Sequence, residues 1–312
     1  MKLGILLFGL LFQVSLLNSQ SEIVDRRVEH VVVIGFDGLS PDGLNKADTP
    51  TFDQLIKEGA STLHARAVLP TSSSTNWATM IMGAGPEQHG ITSNDWTKKD
   101  HILPPVVHDE EALFPTIFNL IDKQLPNAEI GAIYDWGGFG RLFEKSAVDY
   151  DVNPKDEDDT ANKAVAYIEG KKPTFTFIHF DHVDHAGHEY GHGTPQYYKS
   201  VEKADKLLGR VINAIKKAGM EKETLVILSA DHGGHKKGHG GETLGEIEIP
   251  FILWGKGIKK DHNIIHAVYQ YDNAATVAFA LGVKPPWAWI GRPIQTAFEG
   301  FEMEDAYPLT EK

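Results

Sequence analysis

The sequence contains no cysteine. That excludes disulfides, a thiolate metal site and a cysteine nucleophile. A zinc site in this chain must be built from His, Asp and Glu. Positive charge is also short: 30 Lys and Arg face 43 Asp and Glu, a net charge of −13. Such a balance argues against a nucleic-acid polymer as main partner, because those proteins carry basic patches. It does not exclude a small anionic substrate, since bound cations reverse the local sign. No apolar run reaches the roughly 20 residues that a membrane span requires. The run Leu3 to Leu17 follows Met1-Lys2 and precedes Asn18-Ser19-Gln20-Ser21, the pattern of a secretory signal peptide. We therefore expect a signal at residues 1–20, a mature chain 21–312 that is secreted or periplasmic, and no stable membrane anchor after cleavage. Internal repeats and low-complexity linkers are absent, as are a Ser-His-Asp arrangement and a nucleophile-elbow glycine pattern.

What is present is an alternation of short apolar strands and amphipathic helices. The strands are expected at Val31–Ile34, 63–69, 129–134, 173–180, 224–228 and 249–254. The helices are expected at 52–58, 114–124, 158–169, 195–218 and 272–281. Continuous apolar strands of this kind belong to a parallel sheet covered on both faces. The expected class is α/β, with a mostly parallel central sheet and helices on either side.

The chemistry gathers where strands end. Leu228-Ser229-Ala230-Asp231-His232-Gly233-Gly234 closes one strand with a carboxylate and an imidazole, a zinc-type ligand pair, and His239 follows close behind. Val31 to Ile34 runs into Gly35-Phe36-Asp37-Gly38, which puts Asp37 at another strand's C-terminal end, where α/β sheets hold their sites. A third strand ends in Asp181-His182-Val183-Asp184-His185-Ala186-Gly187-His188-Glu189-Tyr190-Gly191-His192. Asp184 and His188 stand four apart, a spacing that converges both side chains on one ion. His182, His185 and His192 are candidates to orient such ligands. The hydroxyl-rich turn Pro70-Thr71-Ser72-Ser73-Ser74-Thr75-Asn76 opens a helix. Helix capping explains it equally well, but a Ser at a helix N-terminus is also a nucleophile beside an anion site. Residues 86–113 look irregular, with a structural His89 and a pocket-lining Asn94-Asp95-Trp96. Trp136-Gly137-Gly138-Phe139-Gly140 reads as an aromatic-glycine loop.

Together these motifs resemble the alkaline phosphatase superfamily in its type I phosphodiesterase/nucleotide pyrophosphatase branch, over about Val31 to Gly257. The resemblance implies an alkaline phosphatase-like α/β/α sandwich in one catalytic domain, with small cap insertions near 86–113 and 135–157. It implies two zinc ions, one held by Asp37, Asp231, His232 and the oxygen of the nucleophile Ser73, the other by Asp184, His188 and His239. Ser72 and Ser74 stay open as alternative nucleophiles. Asn76 matches an Asn that holds a phosphoryl oxygen. The sequence departs from the family pattern at Ser74, where Phe is common, and at Thr75, where Pro is frequent. The close Asp-His-Gly…His-Gly-Gly spacing is similar to that of ethanolamine-phosphate transferases. The implied activity is hydrolysis of phosphodiesters or nucleotide pyrophosphates through a phosphoserine. A phosphomonoesterase, a phosphoethanolamine-type transferase and a non-catalytic zinc-binding secreted protein are the alternatives. No Cys/Ser-x-Pro-x-Arg motif of sulfatases occurs, and no Arg adjoins the nucleophile in sequence.

Overall fold

The computed structural model describes residues 26–302; the expected signal peptide lies outside them. Eight strands form one sheet: β1 (His30–Phe36), β2 (Ala60–Arg66), β3 (Ile130–Tyr134), β4 (Tyr150–Val152), β5 (Phe175–Phe180), β6 (Thr224–Ser229), β7 (Glu248–Gly255) and β8 (His262–Asn263). Their order is β4-β3-β5-β1-β6-β7-β2-β8. All pairings are parallel except those of β7, which runs against both β6 and β2. The sheet is thus mostly parallel, as expected. β1, β5 and β6 are buried along nearly their whole length, which is why they read as continuous apolar runs rather than alternating ones.

Helices cover both faces. Glu157–Lys171, His182–Tyr190 and Pro195–Lys217 pack together on one side; Ser73–Met82, Ile117–Gln124 and Asp272–Leu281 pack together on the other. The long helix buries Val201, Ala204, Leu207, Leu208, Val211 and Ile215, the positions that its periodicity marks. Its buried Asp205 caps a neighbour: the carboxylate accepts from the Thr51 and Phe52 backbone N–H groups and the Thr51 hydroxyl. The helix Pro50–Glu58 has no side-chain cap of its own, so these orphan donors are satisfied across the interface. Among the described residues, no helix is long and apolar enough to cross a membrane.

Two boundaries differ from expectation. The strand expected at 63–69 lies earlier, at Ala60–Arg66, because Gly59 ends the preceding helix directly against the sheet and leaves no connecting loop. Residues beyond Arg66 form the turn before Ser73. The helix expected from Phe114 starts at Ile117, where the Thr116 hydroxyl accepts from the Asn119 N–H and sets the N-cap.

That cap carries a titratable prop. Glu144 is 2% exposed and accepts from the Thr116 hydroxyl, the Thr116 N–H and the Asn119 amide. Burial, with Asp109 beside it, raises Glu144 from 4.5 to about 8. Its folded-state pKa therefore lies above the unfolded one. The stability it lends is complete below about pH 4.5 and is lost as pH rises through about 8. Glu144→Gln should melt level with the wild type near pH 5 and higher at pH 8, by on the order of 2 kcal/mol. Equal pH profiles of the two melting temperatures would sink this account.

Candidate active site

The parallel register brings three strand ends together. Phe36 pairs with Phe180, and Gly35 with Ser229. Asp37, Asp184 and Asp231, which follow these strands, thus share one edge of the sheet. Two glycines make the approach possible. A Cβ on Gly35 would lie 2.4 Å from the Trp77 ring, and one on Gly38, at φ +68°, would lie 2.7 Å from Asp184. Trp77, buried on the helix Ser73–Met82, donates its indole N–H to Asp37 Oδ2 at 3.1 Å.

Asp37, Asp184 and Asp231 are 1%, 7% and 0% exposed. Among the described residues none of them pairs with Lys or Arg; their ion contacts are with histidines alone. Burial opposes ionisation of Asp37, but His179, His232 and Trp77 outweigh it and hold the carboxyl at about 2. Asp231 goes the other way: burial and the charges of Asp37 and Asp184 push it well above the usual carboxylate range.

The imidazoles are turned inward by the backbone. His232 Nδ1 lies 2.7 Å from the Gly233 carbonyl, His188 Nδ1 2.9 Å from that of Lys237, and His239 Nδ1 2.8 Å from that of Thr71. A carbonyl only accepts, so each Nδ1 carries its hydrogen and each Nε2 is the atom left for the site. His232 Nε2 is 3.4 Å from Asp37 Oδ1 and 3.1 Å from Asp231 Oδ2. His188 Nε2 is 3.0 Å, and His239 Nε2 3.7 Å, from Asp184 Oδ2. Hydrogen bonding to Asp184 raises His188 to about 9, a proton that a metal ion would displace.

These donors fit divalent cations. The ligand atoms of Asp184, His188 and His239 lie within 4.8 Å of one another, as do those of Asp37, Asp184 and His232. Asp37 Oδ1, Asp184 Oδ1 and Asp231 Oδ2 are buried and accept no hydrogen bond among the described residues. Lone pairs converging in a dry site repel unless a cation sits among them, and His with Asp is a zinc-type donor set.

Ser73 opens the helix Ser73–Met82, and its Oγ lies 3.2 Å from His232 Nε2. Its neighbours face elsewhere. Ser72 Oγ donates to Asn94 Oδ1 at 2.9 Å, and Ser74 Oγ accepts from Arg141 at 3.1 Å. Of the three hydroxyls, Ser73 is the one turned to the Asp and His cluster. Thr71 stitches this turn to the loop of His239: its hydroxyl donates to the Gly241 carbonyl and accepts from the Gly240 N–H.

Asn76 is not where the resemblance puts it. It is 0% exposed, its carboxamide NH2 donates to the carbonyls of Val68, Pro70 and Ser72, and its Oδ1 accepts from the Val68 N–H. With every donor and acceptor engaged, Asn76 braces the turn and has nothing left for a phosphoryl oxygen. Asn94, from the irregular segment, stands beside the Ser73 turn. Its Oδ1 accepts from the Ser74 N–H at 2.8 Å as well as from Ser72, and its NH2 makes no hydrogen bond among the described residues. No Arg adjoins Ser73 in sequence, but in space Arg141 reaches the Ser73 turn from the aromatic-glycine loop.

Sequence reading passed over His179. It sits inside β5, fully buried, with Nε2 3.4 Å from Asp37 Oδ2 and Nδ1 3.4 Å from Asp135 Oδ1. Burial works against its charge, yet Asp135 and Asp37 raise it to about 9. A polar residue near the end of an otherwise apolar strand was the signal that marked it. His192 packs on Gly187 and Gly234, 3.7 Å from Asp184 Oδ1. His185 is exposed beside Glu189, and His182 does not reach the ligand cluster. His89 is buried, with its ring between the Thr79 hydroxyl and the Ile91 N–H.

The chain matches the family model described as type I phosphodiesterase / nucleotide pyrophosphatase over residues 31–123 and 129–237. It is similar to the bis(5'-adenosyl)-triphosphatase ENPP4 of Pongo abelii, 25% identical over 237 residues that cover 73% of this chain and 52% of that protein. The chain spans about half the length of the curated relatives it matches. Among solved structures, murine ectonucleotide pyrophosphatase / phosphodiesterase 5, as an inactive variant in complex with AMP, superposes with a TM-score of 0.70 at 18% identity, covering 83% of this chain and 96% of that one. A mutant of the alkaline phosphatase PafA superposes with a TM-score of 0.72 at 13% identity, covering 88% and 99%. At these identities the superpositions establish a shared alkaline phosphatase-like fold.

Proposed function

This chain belongs to the type I phosphodiesterase / nucleotide pyrophosphatase family, and on that premise we propose that it is a secreted or periplasmic hydrolase of small phosphoric esters. Phosphodiesters and nucleotide pyrophosphates are the favoured substrates. The observation that carries the reading is Ser73 Oγ, 3.2 Å from His232 Nε2 at a helix N-terminus, bordering a dry cluster of three carboxylates. Two zinc ions are the proposed cofactors. Asp37, Asp231, His232 and Ser73 Oγ would hold one; Asp184, His188 and His239 would hold the other. When bound, the ions supply positive charge for the attacking and leaving oxygens and lower the pKa of oxygens they coordinate.

In the proposed mechanism the Ser73 hydroxyl gives its proton to water, which returns one to the departing oxygen, and its own oxygen attacks phosphorus. The bond to the leaving alcohol or phosphate breaks, and the phosphoryl group passes to Ser73. Water then cleaves the Ser73–phosphate ester and regenerates the hydroxyl. The free NH2 of Asn94 is the side-chain donor left for a phosphoryl oxygen, and the helix N-terminus adds favourable potential for the anion. Trp77 and His179 hold the Asp37 carboxylate in one orientation. Residues 86–113 and 135–157 act as a small cap within one catalytic domain. Asn94 and Arg141, one from each segment, support that assignment. The acidic balance of the chain speaks against a nucleic-acid polymer as substrate.

The test is hydrolysis of bis(p-nitrophenyl) phosphate by zinc-loaded protein. Release of p-nitrophenol should exceed that of chelator-treated protein by about a hundredfold or more. Zinc-loaded protein that cleaves neither this diester nor p-nitrophenyl phosphate would defeat the reading in favour of transfer chemistry or a zinc-binding role without catalysis.

A further inference from the structure

We propose that His192 is a positioning residue for the metal held by Asp184, His188 and His239: its ring N–H donates to Asp184 Oδ1 and so turns Oδ2 to the ion. The inference rests on the two-metal reading above and deepens it.

His192 closes the motif that supplies two of those ligands. Its backbone is pinned where one helix ends and the next begins. Gly191, at φ +102°, ends the helix His182–Tyr190, and the Thr194 hydroxyl caps the helix Pro195–Lys217 by accepting from the Tyr197 N–H. Between them the His192 N–H donates to the Lys236 carbonyl at 2.7 Å, which ties it to the loop of His239.

The side chain turns inward and is 5% exposed. Its ring packs on Tyr197, with centroids 5.0 Å apart. The Nε2 edge enters between two glycines. A Cβ on Gly187 would lie 2.3 Å from Nε2, and one on Gly234 would lie 2.1 Å from it. Neither glycine has a positive φ. Gly187 even lies inside a helix, between Asp184 and His188, where glycine is disfavoured. The backbone asks for glycine at neither position; the room taken by the imidazole does.

The ring meets a carboxylate oxygen with the same need. Nε2 is 3.7 Å from Asp184 Oδ1. Both atoms are buried, and neither has a hydrogen-bond partner among the described residues. Two such groups left apart are costly, and a shift of under an ångström brings them to the roughly 2.9 Å of an N–H···O bond. A carboxylate only accepts, so Nε2 carries the hydrogen and keeps no lone pair for a cation. The other oxygen already faces the ligands: Asp184 Oδ2 lies 3.0 Å from His188 Nε2 and 3.7 Å from His239 Nε2. A ligating carboxylate whose second oxygen is hydrogen-bonded is held in one orientation. Asp184 is the member common to both ligand groups, so its orientation sets where one ion stands relative to the other.

Zinc uptake separates this role from packing and from direct ligation. Metal-free wild type, His192→Ala, His192→Leu and His192→Gln are titrated with zinc against a chromophoric chelator, and their melting temperatures check the fold. Glutamine reaches about as far as the ring and keeps an N–H, whereas leucine fills space without one. His192→Ala and His192→Leu should bind one of the two zinc ions about 10–100-fold more weakly and the other near the wild-type strength, while His192→Gln recovers to within about fivefold of wild type. Wild-type zinc affinity in His192→Leu would overturn the proposal and leave a packing role. Equal loss in all three variants would overturn it in favour of direct ligation. If His192→Ala does not fold, the leucine and glutamine pair decides. A wild type that binds two zinc ions but cleaves no phosphoric ester defeats the hydrolase reading, and the affinities still decide the role of His192. A wild type that takes up no zinc defeats both.

Discussion

Ser73→Ala is expected to abolish turnover, with kcat/KM on any cleaved phosphoric ester lowered by about four orders of magnitude or more. Bound zinc should stay near the wild-type amount. The two outcomes separate because Ser73 would contribute a single oxygen to one metal, while Asp37, Asp231 and His232 hold their geometry through groups that do not touch Ser73. The Trp77 indole fixes Asp37, the Gly38 and His232 N–H groups fix Asp231, and the Gly233 carbonyl fixes His232. Stability should also change little. Ser73 is the first helical residue rather than the N-cap, and no hydrogen bond from its side chain closes the turn. Ser72→Ala and Ser74→Ala provide the contrast. Each removes a hydroxyl engaged with Asn94 or Arg141, and each should leave measurable turnover. Activity of Ser73→Ala near that of wild type, with a neighbouring alanine variant dead, would move the nucleophile to that neighbour.

Chelation is the second large effect. Complete removal of metal should abolish hydrolysis and lower the melting temperature by roughly 10 °C, and zinc should restore both. The stability change follows from mass action: an ion at a thousand times its dissociation constant adds about 4 kcal/mol, and a chain of this size moves roughly 2–4 °C per kcal/mol. The structural reason is the uncompensated charge of Asp37, Asp184 and Asp231. Three buried carboxylates with only histidines as counter-charges are costly. Protons relieve part of that cost in the metal-free protein, as the raised Asp231 and His188 indicate. Metal binding must expel those protons, so apparent zinc affinity should fall as pH drops. Calorimetry of chelated and reconstituted protein reads both effects. An unchanged melting temperature and retained activity in protein shown by elemental analysis to be metal-free would refute the two-metal site.

Much of this was legible along the chain. Strand-ending motifs need only local order to be recognised: an apolar run says strand, and the polar residue after it says sheet edge. That pattern makes Asp37, Asp231 and His232 candidates, and the parallel register places all three at the same end of the sheet. Asp184 and His188 were found by helical spacing, and they do sit one turn apart in the helix His182–Tyr190. His239 needed only a short loop to return, and the stacking of its ring on His232, with centroids 3.7 Å apart, meets that expectation.

The misreadings share a cause. Asn76 lies three residues past Ser73, and nearness in sequence made it the candidate. A helix that starts at Ser73 turns Asn76 toward the backbone of the preceding turn, and burial there forces its amide to satisfy itself on Val68, Pro70 and Ser72. Asn94 and Arg141 stand far from Ser73 along the chain and reach it only because two irregular segments fold back over the same end of the sheet.

The linear chain thus dictates the chemistry available. It is cysteine-free, acidic and of α/β type, and its Asp, His and Ser residues stand at strand and helix ends, where backbone periodicity alone exposes them. Which hydroxyl faces the metal-type ligands, which Asn stands beside the Ser73 turn, and whether a guanidinium lies against it are settled in three dimensions. Those choices depend on the parallel register that gathers β1, β5 and β6 at one edge, and on contacts between residues that no local pattern connects.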